Sequence, residues 1–196
     1  MRIAVSTLVF LSVLFSANFA FADTYWPSTA VEFARLPPYC KARAGKGNLK
    51  PSEVEIQHWK QKLGPGFLHV HHLCAALNFN NKYPGTTDES ALRVVIKELD
   101  YLQEHAPSDF PLHPLVSVER GKFLLRLNLA AEAILEFQNA IRLKPSYTPP
   151  YAELADYYAE TGQTEEAINI LREGLKHSPK SRRLKRRLAK LTPSEE

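Results

Sequence analysis

The chain has 196 residues, enough for one domain with a real core. Its 44% hydrophobic and 23% charged residues are ordinary for a globular protein, and fourteen prolines against eight glycines point to many short connections rather than to disorder. The formal net charge of +4 is unevenly spread: residues 23–173 hold 16 Lys and Arg against 19 Asp and Glu, whereas residues 174–194 hold eight basic residues and no acidic one. The basic balance therefore describes the C-terminal tail, not the body.

Residues 1–22, MRIAVSTLVFLSVLFSANFAFA, begin with Arg2, continue in an apolar run and end on Ala20-Phe21-Ala22. A positive start, an apolar middle and a small-x-small site read as a secretory signal cleaved before Asp23. The alternative is a retained membrane anchor, but Ser16 and Asn18 leave the run short for a span. No later stretch is long and apolar enough to cross a bilayer. The mature protein is expected to be exported and soluble, in a setting such as a bacterial periplasm.

Residues 23–66 read as an N-terminal extension. STAVEFARL suggests a short helix capped by Ser28, and LPPYCKARAGKGN reads as irregular. Pro51-Ser52 opens a helix that runs to Leu63, with Ile56, Trp59 and Leu63 near one face, and Gly64-Pro65-Gly66 ends it. Cys40 and Cys74 are the two cysteines. In an oxidising compartment they read as a disulfide, which would stabilise the fold by about 3–4 kcal/mol in the chain-entropy model. Two separate thiols, or a thiol ligand, are the alternatives.

Residues 67–113 are expected to form a helix pair. The first helix spans 67–82 and is closed by Tyr83-Pro84-Gly85; the second starts near Thr87 and stops at Pro107, with Thr86 and Glu89 at capping-box spacing. The first contains FLHVHHLC, with His69, His71, His72 and Cys74 in six residues. At 100° per residue, Val70, Leu73, Cys74 and Leu77 share one face, and Leu68, His72, Ala75 and Phe79 share the other. His69 and His72 lie about 60° apart, whereas His71 lies roughly 160° from His69 and neighbours Cys74. One straight helix therefore cannot bring three imidazoles to one metal. A zinc or copper site would rest on His69 and His72 with ligands from elsewhere, such as His58 or His105. Structural packing and catalysis are the other readings of the cluster.

The second half repeats. PLVSVERGKFLLRLNLAAEAILEFQNAIRLKPSY (114–147) aligns without a gap on TPPYAELADYYAETGQTEEAINILREGLKHSPKS (148–181). Ala133 matches Ala167, Phe137 matches Leu171, Ala140 matches Gly174 and Pro145 matches Pro179. Small residues recur where paired helices approach, large ones where the next helix packs, and proline where each unit ends. The second unit carries Tyr151, Leu154, Ala155, Tyr158, Ala167, Leu171 and Pro179, and in this it resembles the tetratricopeptide repeat family. The first unit departs from the pattern at Ser117, where an aromatic belongs, and at Arg120, where leucine belongs.

The resemblance implies an all-α fold, an α-α superhelix in which helix pairs stack, with residues 182–196 as a basic capping helix and tail. Leu184, Leu188 and Leu191 give that helix one apolar stripe. It also implies a concave groove lined by Leu115, Val118, Lys122, Leu125 and Arg126 in the first unit and by Ala152, Asp156, Ala159 and Glu160 in the second. Such a groove suits a protein or peptide segment in the cell envelope. The asparagines of the set that clamps a C-terminal carboxylate are missing. Arg182, Arg183, Lys185, Arg186 and Arg187, with Lys180 and Lys190 beside them, could touch an anionic surface, and export argues against nucleic acid. No phosphate loop, nucleophile elbow or metalloprotease helix is present. The expectation is a non-enzymatic scaffold with no cofactor, and metal binding at the histidine-rich helix is the alternative.

Overall fold

The computed structural model describes residues 25–192; the secretory signal expected at 1–22 lies outside them. The described residues form helices α1 (Ala30–Ala34), α2 (Pro38–Ala44), α3 (Glu53–Leu63), α4 (Val70–Lys82), α5 (Glu89–His105), α6 (His113–Arg126), α7 (Ala130–Leu143), α8 (Pro149–Glu160), α9 (Thr164–His177) and α10 (Arg182–Leu191). There is no strand among them. Helices pack as successive pairs, α4 with α5, α6 with α7 and α8 with α9, and α10 closes the stack against α9 and α8. The expected all-α superhelix is the observed fold.

The front end is more helical than its composition suggests. Its first cap is Thr29, one residue beyond the expected Ser28. Thr29 Oγ1 accepts from the Glu32 N–H, and the Glu32 carboxylate accepts from the N–H groups of Ser28 and Thr29. The stretch read as irregular contains α2. Pro37 is its N-cap and Pro38 its first residue, where a missing N–H leaves no bond unmade. Cys40 of α2 is bonded to Cys74 of α4, with Cα atoms 5.5 Å apart. Asn78 of α4 donates to the Tyr25 carbonyl at 2.8 Å, and Lys82 pairs with Glu32 at 2.6 Å, so the extension is fastened along one helix.

Two expected boundaries move. Gly64–Leu68 is a 3-10 turn, His69 is the N-cap and α4 begins at Val70. Leu68, expected on a packed helical face, is 60% exposed on that turn. The turn is held by Gly66, where an added Cβ would stand 2.2 Å from the Phe110 ring. The capping box expected from Thr86 and Glu89 does not form. Asp88 caps α5 by accepting from the N–H groups of Ser90 and Ala91 at 3.0 and 3.2 Å, and Thr86 Oγ1 accepts from the Asp88 N–H. A short carboxylate beside the first turn wins over a hydroxyl two residues upstream.

The two 34-residue units fold alike. Asn128 and Gly162, one repeat apart, both take a positive φ, 60° and 79°, in the turn between paired helices. These are residue types that tolerate the left-handed region. Phe137 and Leu171 are fully buried at the same repeat position. The departures in the first unit build a polar network in place of apolar packing. Ser117 is fully buried, and its Oγ accepts from Gln103 of α5 at 3.2 Å and Asn139 of α7 at 3.0 Å. Arg120 pairs with Asp100 of α5 and Glu136 of α7. The same two positions thus tie the repeats to the helix pair before them. At the other end Leu184 of α10 is fully buried, and Leu188 and Leu191 pack beside it.

Candidate functional site

The expected groove residues divide by what they touch. Val118 and Ala152 are buried in the core, and Leu115 and Leu125 pack half-buried against it. Lys122 donates to both carboxylate oxygens of Glu119, at 3.0 and 2.9 Å, across one turn of α6. Arg126 turns away to the α4–α5 loop. Its Nε donates to the Thr86 carbonyl at 2.9 Å, Nη1 to Asn80 Oδ1 at 3.1 Å and Nη2 to the Tyr83 carbonyl at 3.0 Å. The guanidinium also lies 5.2 Å from the Phe123 ring centroid. Lys122 and Arg126 are therefore committed within the chain rather than presented to a partner. Glu153 of α8 is half-buried, and burial pushes its carboxyl above the ordinary range, with Asp156 and Glu119 adding to the effect and Lys122 and Arg187 opposing it.

The remaining groove residues meet the basic helix. Asp156 and Ala159 of α8 line a cleft of about 300 Å³ together with Leu171 of α9 and Arg186, Arg187 and Lys190 of α10. Part of the expected groove and part of the basic patch thus share one cleft. Arg187 is paired with Asp156. Arg182, Arg183, Lys185, Arg186 and Lys190 are exposed and have no ion pair among the described residues. Arg186 and Lys190 bring positive charge, unpaired among the described residues, to a cleft floored by Ala155, Ala159, Leu171 and Leu191. Glu160 is exposed at the end of α8. Lys190, a residue of the basic tail, lies one further repeat from Asp156 and two from Lys122.

The histidines are distributed by different rules. Because His69 caps α4 rather than lying inside it, its ring turns to Tyr101 and His105, with centroids 5.8 and 5.9 Å away. His71 and His72 come together at 4.2 Å, and Trp26 covers both, at 5.4 and 5.9 Å. Helical angles predicted neither this pairing nor the tryptophan lid. His72 Nδ1 bonds Glu98 Oε2 at 2.5 Å, and Tyr25 donates to the other Glu98 oxygen at 3.2 Å. His71 Nδ1 is buried without a hydrogen-bond partner among the described residues. Burial, then the charges of His72 and Arg43, push its pKa down to about 4. His58 packs against Trp59, away from the cluster. Cys74 is in the disulfide and is no ligand. Among the described residues no three His, Cys, Asp or Glu side chains gather to hold a metal ion.

Residues 124–191, about a third of the chain, match the family model described as tetratricopeptide repeat. This segment is similar to tetratricopeptide repeats. The match runs from the end of α6 to the last residue of α10, so the basic helix and its cleft lie within it. Repeats of this kind stack into solenoids whose concave surfaces serve for protein binding. Searches of curated proteins and of solved structures returned no match. Among the described residues no helix is long and apolar enough to cross a membrane.

Proposed function

We propose that this protein is an exported, non-catalytic scaffold of the cell envelope, periplasmic in a bacterium, which holds an acidic segment of a partner protein in the cleft between α8 and α10. The observation that carries this reading is the meeting of the groove with Arg186 and Lys190, two cations with no counter-ion among the described residues, over an apolar floor. Arg187 has its own carboxylate in Asp156, so it orders the cleft rather than binding the partner. A partner carboxylate between Arg186 and Lys190 would supply the missing negative charge, and small apolar neighbours would cover Ala155 and Ala159. Export is supported by the arrangement of residues 1–22 and by the Cys40–Cys74 bond, which suits an oxidising compartment.

The test is crosslinked capture from an envelope extract with the mature chain as bait. Arg186→Glu with Lys190→Glu should lose the partner, and Lys122→Glu, whose lysine is already paired with Glu119, should lose it far less. Undiminished capture by the double reversal would remove the reading.

A further inference from the structure

A second cleft lies at the opposite end of the molecule, in the extension rather than the repeats. It encloses about 770 Å³ under α2, α3 and the Gly64–Leu68 turn. Its walls are mainly apolar, from Ala42, Ile56, Pro65, Phe67 and Leu68, and Leu68 is 60% exposed there. Arg43 and Lys60 stand on its lining, and among the described residues that line it there is no carboxylate. An apolar cleft with cations and no anion at its edge suits a ligand with an apolar body and a negative head.

Arg43 is prepared for such a head. Its Nε donates to the Leu68 carbonyl at 2.8 Å, which fixes the guanidinium on the cleft wall. Among the described residues its Nη groups have neither an acceptor nor an ion pair. A guanidinium held by one nitrogen presents the other two as a fork, the geometry that carboxylates accept best. Burial lowers the pKa of this guanidinium, as expected for a charge with no counter-ion beside it. Arg43 also lines a neighbouring cavity of about 690 Å³, with Trp26, Phe33, Lys46 and His71. The walls are pre-set. The disulfide at Cys40 fastens α2 three residues before Arg43, and Gly66 locks the turn against Phe110. A preformed site loses little on ordering when a ligand enters.

We propose that this cleft binds an amphiphilic anion, a carboxylate on an unbranched apolar chain, with the chain against Ile56, Phe67 and Leu68 and the carboxylate at Arg43 and Lys60. The site is independent of the partner cleft at α8 and α10.

The experiment is calorimetric titration of the mature chain with dodecanoate, dodecanol and dodecyltrimethylammonium, below the micelle concentration of the two ions and the solubility limit of the alcohol. Dodecanoate should bind one to one, with dodecanol weaker on the order of tenfold and the cation weaker still. Leu68→Glu, at an exposed position, should abolish binding of dodecanoate and dodecanol alike. Arg43→Gln should bring those two probes to similar affinity; Lys60→Gln should narrow the gap in the same direction and serves if the Arg43 variant does not fold. Arg186→Glu with Lys190→Glu should leave dodecanoate binding unchanged. Equal affinity of the native chain for dodecanoate and dodecanol, unaltered binding by Leu68→Glu, or loss of binding in the α10 double variant would each overturn the proposal.

Discussion

Arg187 of α10 holds Asp156 of α8 through one guanidinium edge, with Nε at 2.8 and 3.0 Å from the two carboxylate oxygens and Nη2 at 2.6 Å from one of them. The pair fixes the terminal helix across the groove, beside the buried Leu184. Asp156 is 43% exposed, so water screens the attraction and the pair is worth about 1 kcal/mol at most. Arg187→Ala, Asp156→Ala and the double variant, compared by urea unfolding, should give a coupling of about 0.5–1 kcal/mol. The single variants should also loosen the Arg186–Lys190 cleft and weaken partner capture. Additive effects on both measures would mean that the pair does not order the cleft.

Arg126 is a different kind of cation. Two of its nitrogens are bonded to carbonyls of the α4–α5 loop and the third to Asn80 of α4, and its face lies over Phe123 and Phe79. Arg126→Ala leaves the carbonyls of Thr86 and Tyr83 to water and should destabilise the protein by about 2 kcal/mol. Arg126→Lys keeps the charge but not the fork and should recover less than half of that. Hydrogen exchange should quicken around residues 83–88 in both variants while partner capture by the folded protein stays near normal. A loss of capture without a loss of stability would place Arg126 in the binding surface after all.

The difference between these two arginines shows how far the sequence could be read. Periodicity of 34 residues revealed the stacked helices, since Phe137 and Leu171, or Asn128 and Gly162, must do the same job in each unit. The family resemblance that it carries implied the face from which Asp156 projects. It could not say that Arg126 would reach back more than 40 residues to a loop outside the repeats, because nothing local specifies that partner. The positions that looked degenerate, Ser117 and Arg120, prove to be where α5 is joined on, so departures from the repeat carried information about tertiary contact. The histidines were misplaced for a local reason. Gly64-Pro65-Gly66 sets up a 3-10 turn, α4 starts at Val70, and the angles assumed for His69 no longer apply. Trp26, which covers His71 and His72, comes from a segment with no periodic signal.

Reduction should act mainly on the front end. Cys40 and Cys74 are separated by 34 residues, and the loop-closure model assigns their bond about 3–4 kcal/mol. Replacing both with alanine should lower stability by roughly that amount, less whatever structure the unfolded chain keeps. Hydrogen exchange should rise first in α1, α2 and α3, with α6 to α9 protected until global unfolding. Uniform loss of protection across the chain would show that the extension and the repeats are one cooperative unit.

Acid should weaken the fold in two windows. His71 is held near a pKa of about 4 in the folded chain against an ordinary 6.5, so between those values the unfolded chain binds the extra proton. Stability from this group is complete above pH 6.5 and is lost as the pH falls toward 4. Glu32 acts lower down. Burial works against its charge, but Lys82 and the N–H groups of Ser28 and Thr29 outweigh burial and hold the carboxyl well below the usual range. Its contribution is therefore lost only as the pH falls below about 4.5, where unfolded glutamates protonate. His71→Phe should flatten the decline between pH 6.5 and 4 and leave the lower one, and Glu32→Gln should do the reverse. Equilibrium unfolding midpoints across pH 3–7 separate the two.

Gly174 tests the closure of the superhelix, because two effects on its substitution oppose each other. In a free helix, glycine to alanine gains about 1 kcal/mol of propensity. Here an added Cβ would stand 2.7 Å from Tyr151 Cγ and 2.8 Å from Leu184 Cδ1. The leucine methyl can swing aside, but the root of the tyrosine ring cannot, since Tyr151 is buried and its hydroxyl donates to the Pro145 carbonyl at 3.0 Å. Overpacking of this kind costs about 1–3 kcal/mol, so Gly174→Ala should be net destabilising by about 1 kcal/mol although the first unit carries Ala140 at the same place. The strain falls on the seat of α10, so hydrogen exchange of residues 182–191 should rise together with the drop in unfolding midpoint. Shortening Leu184 in the same chain should recover part of the loss, because it removes one of the two close contacts; a double variant less stable than the sum of the single changes would show that the clash lies elsewhere.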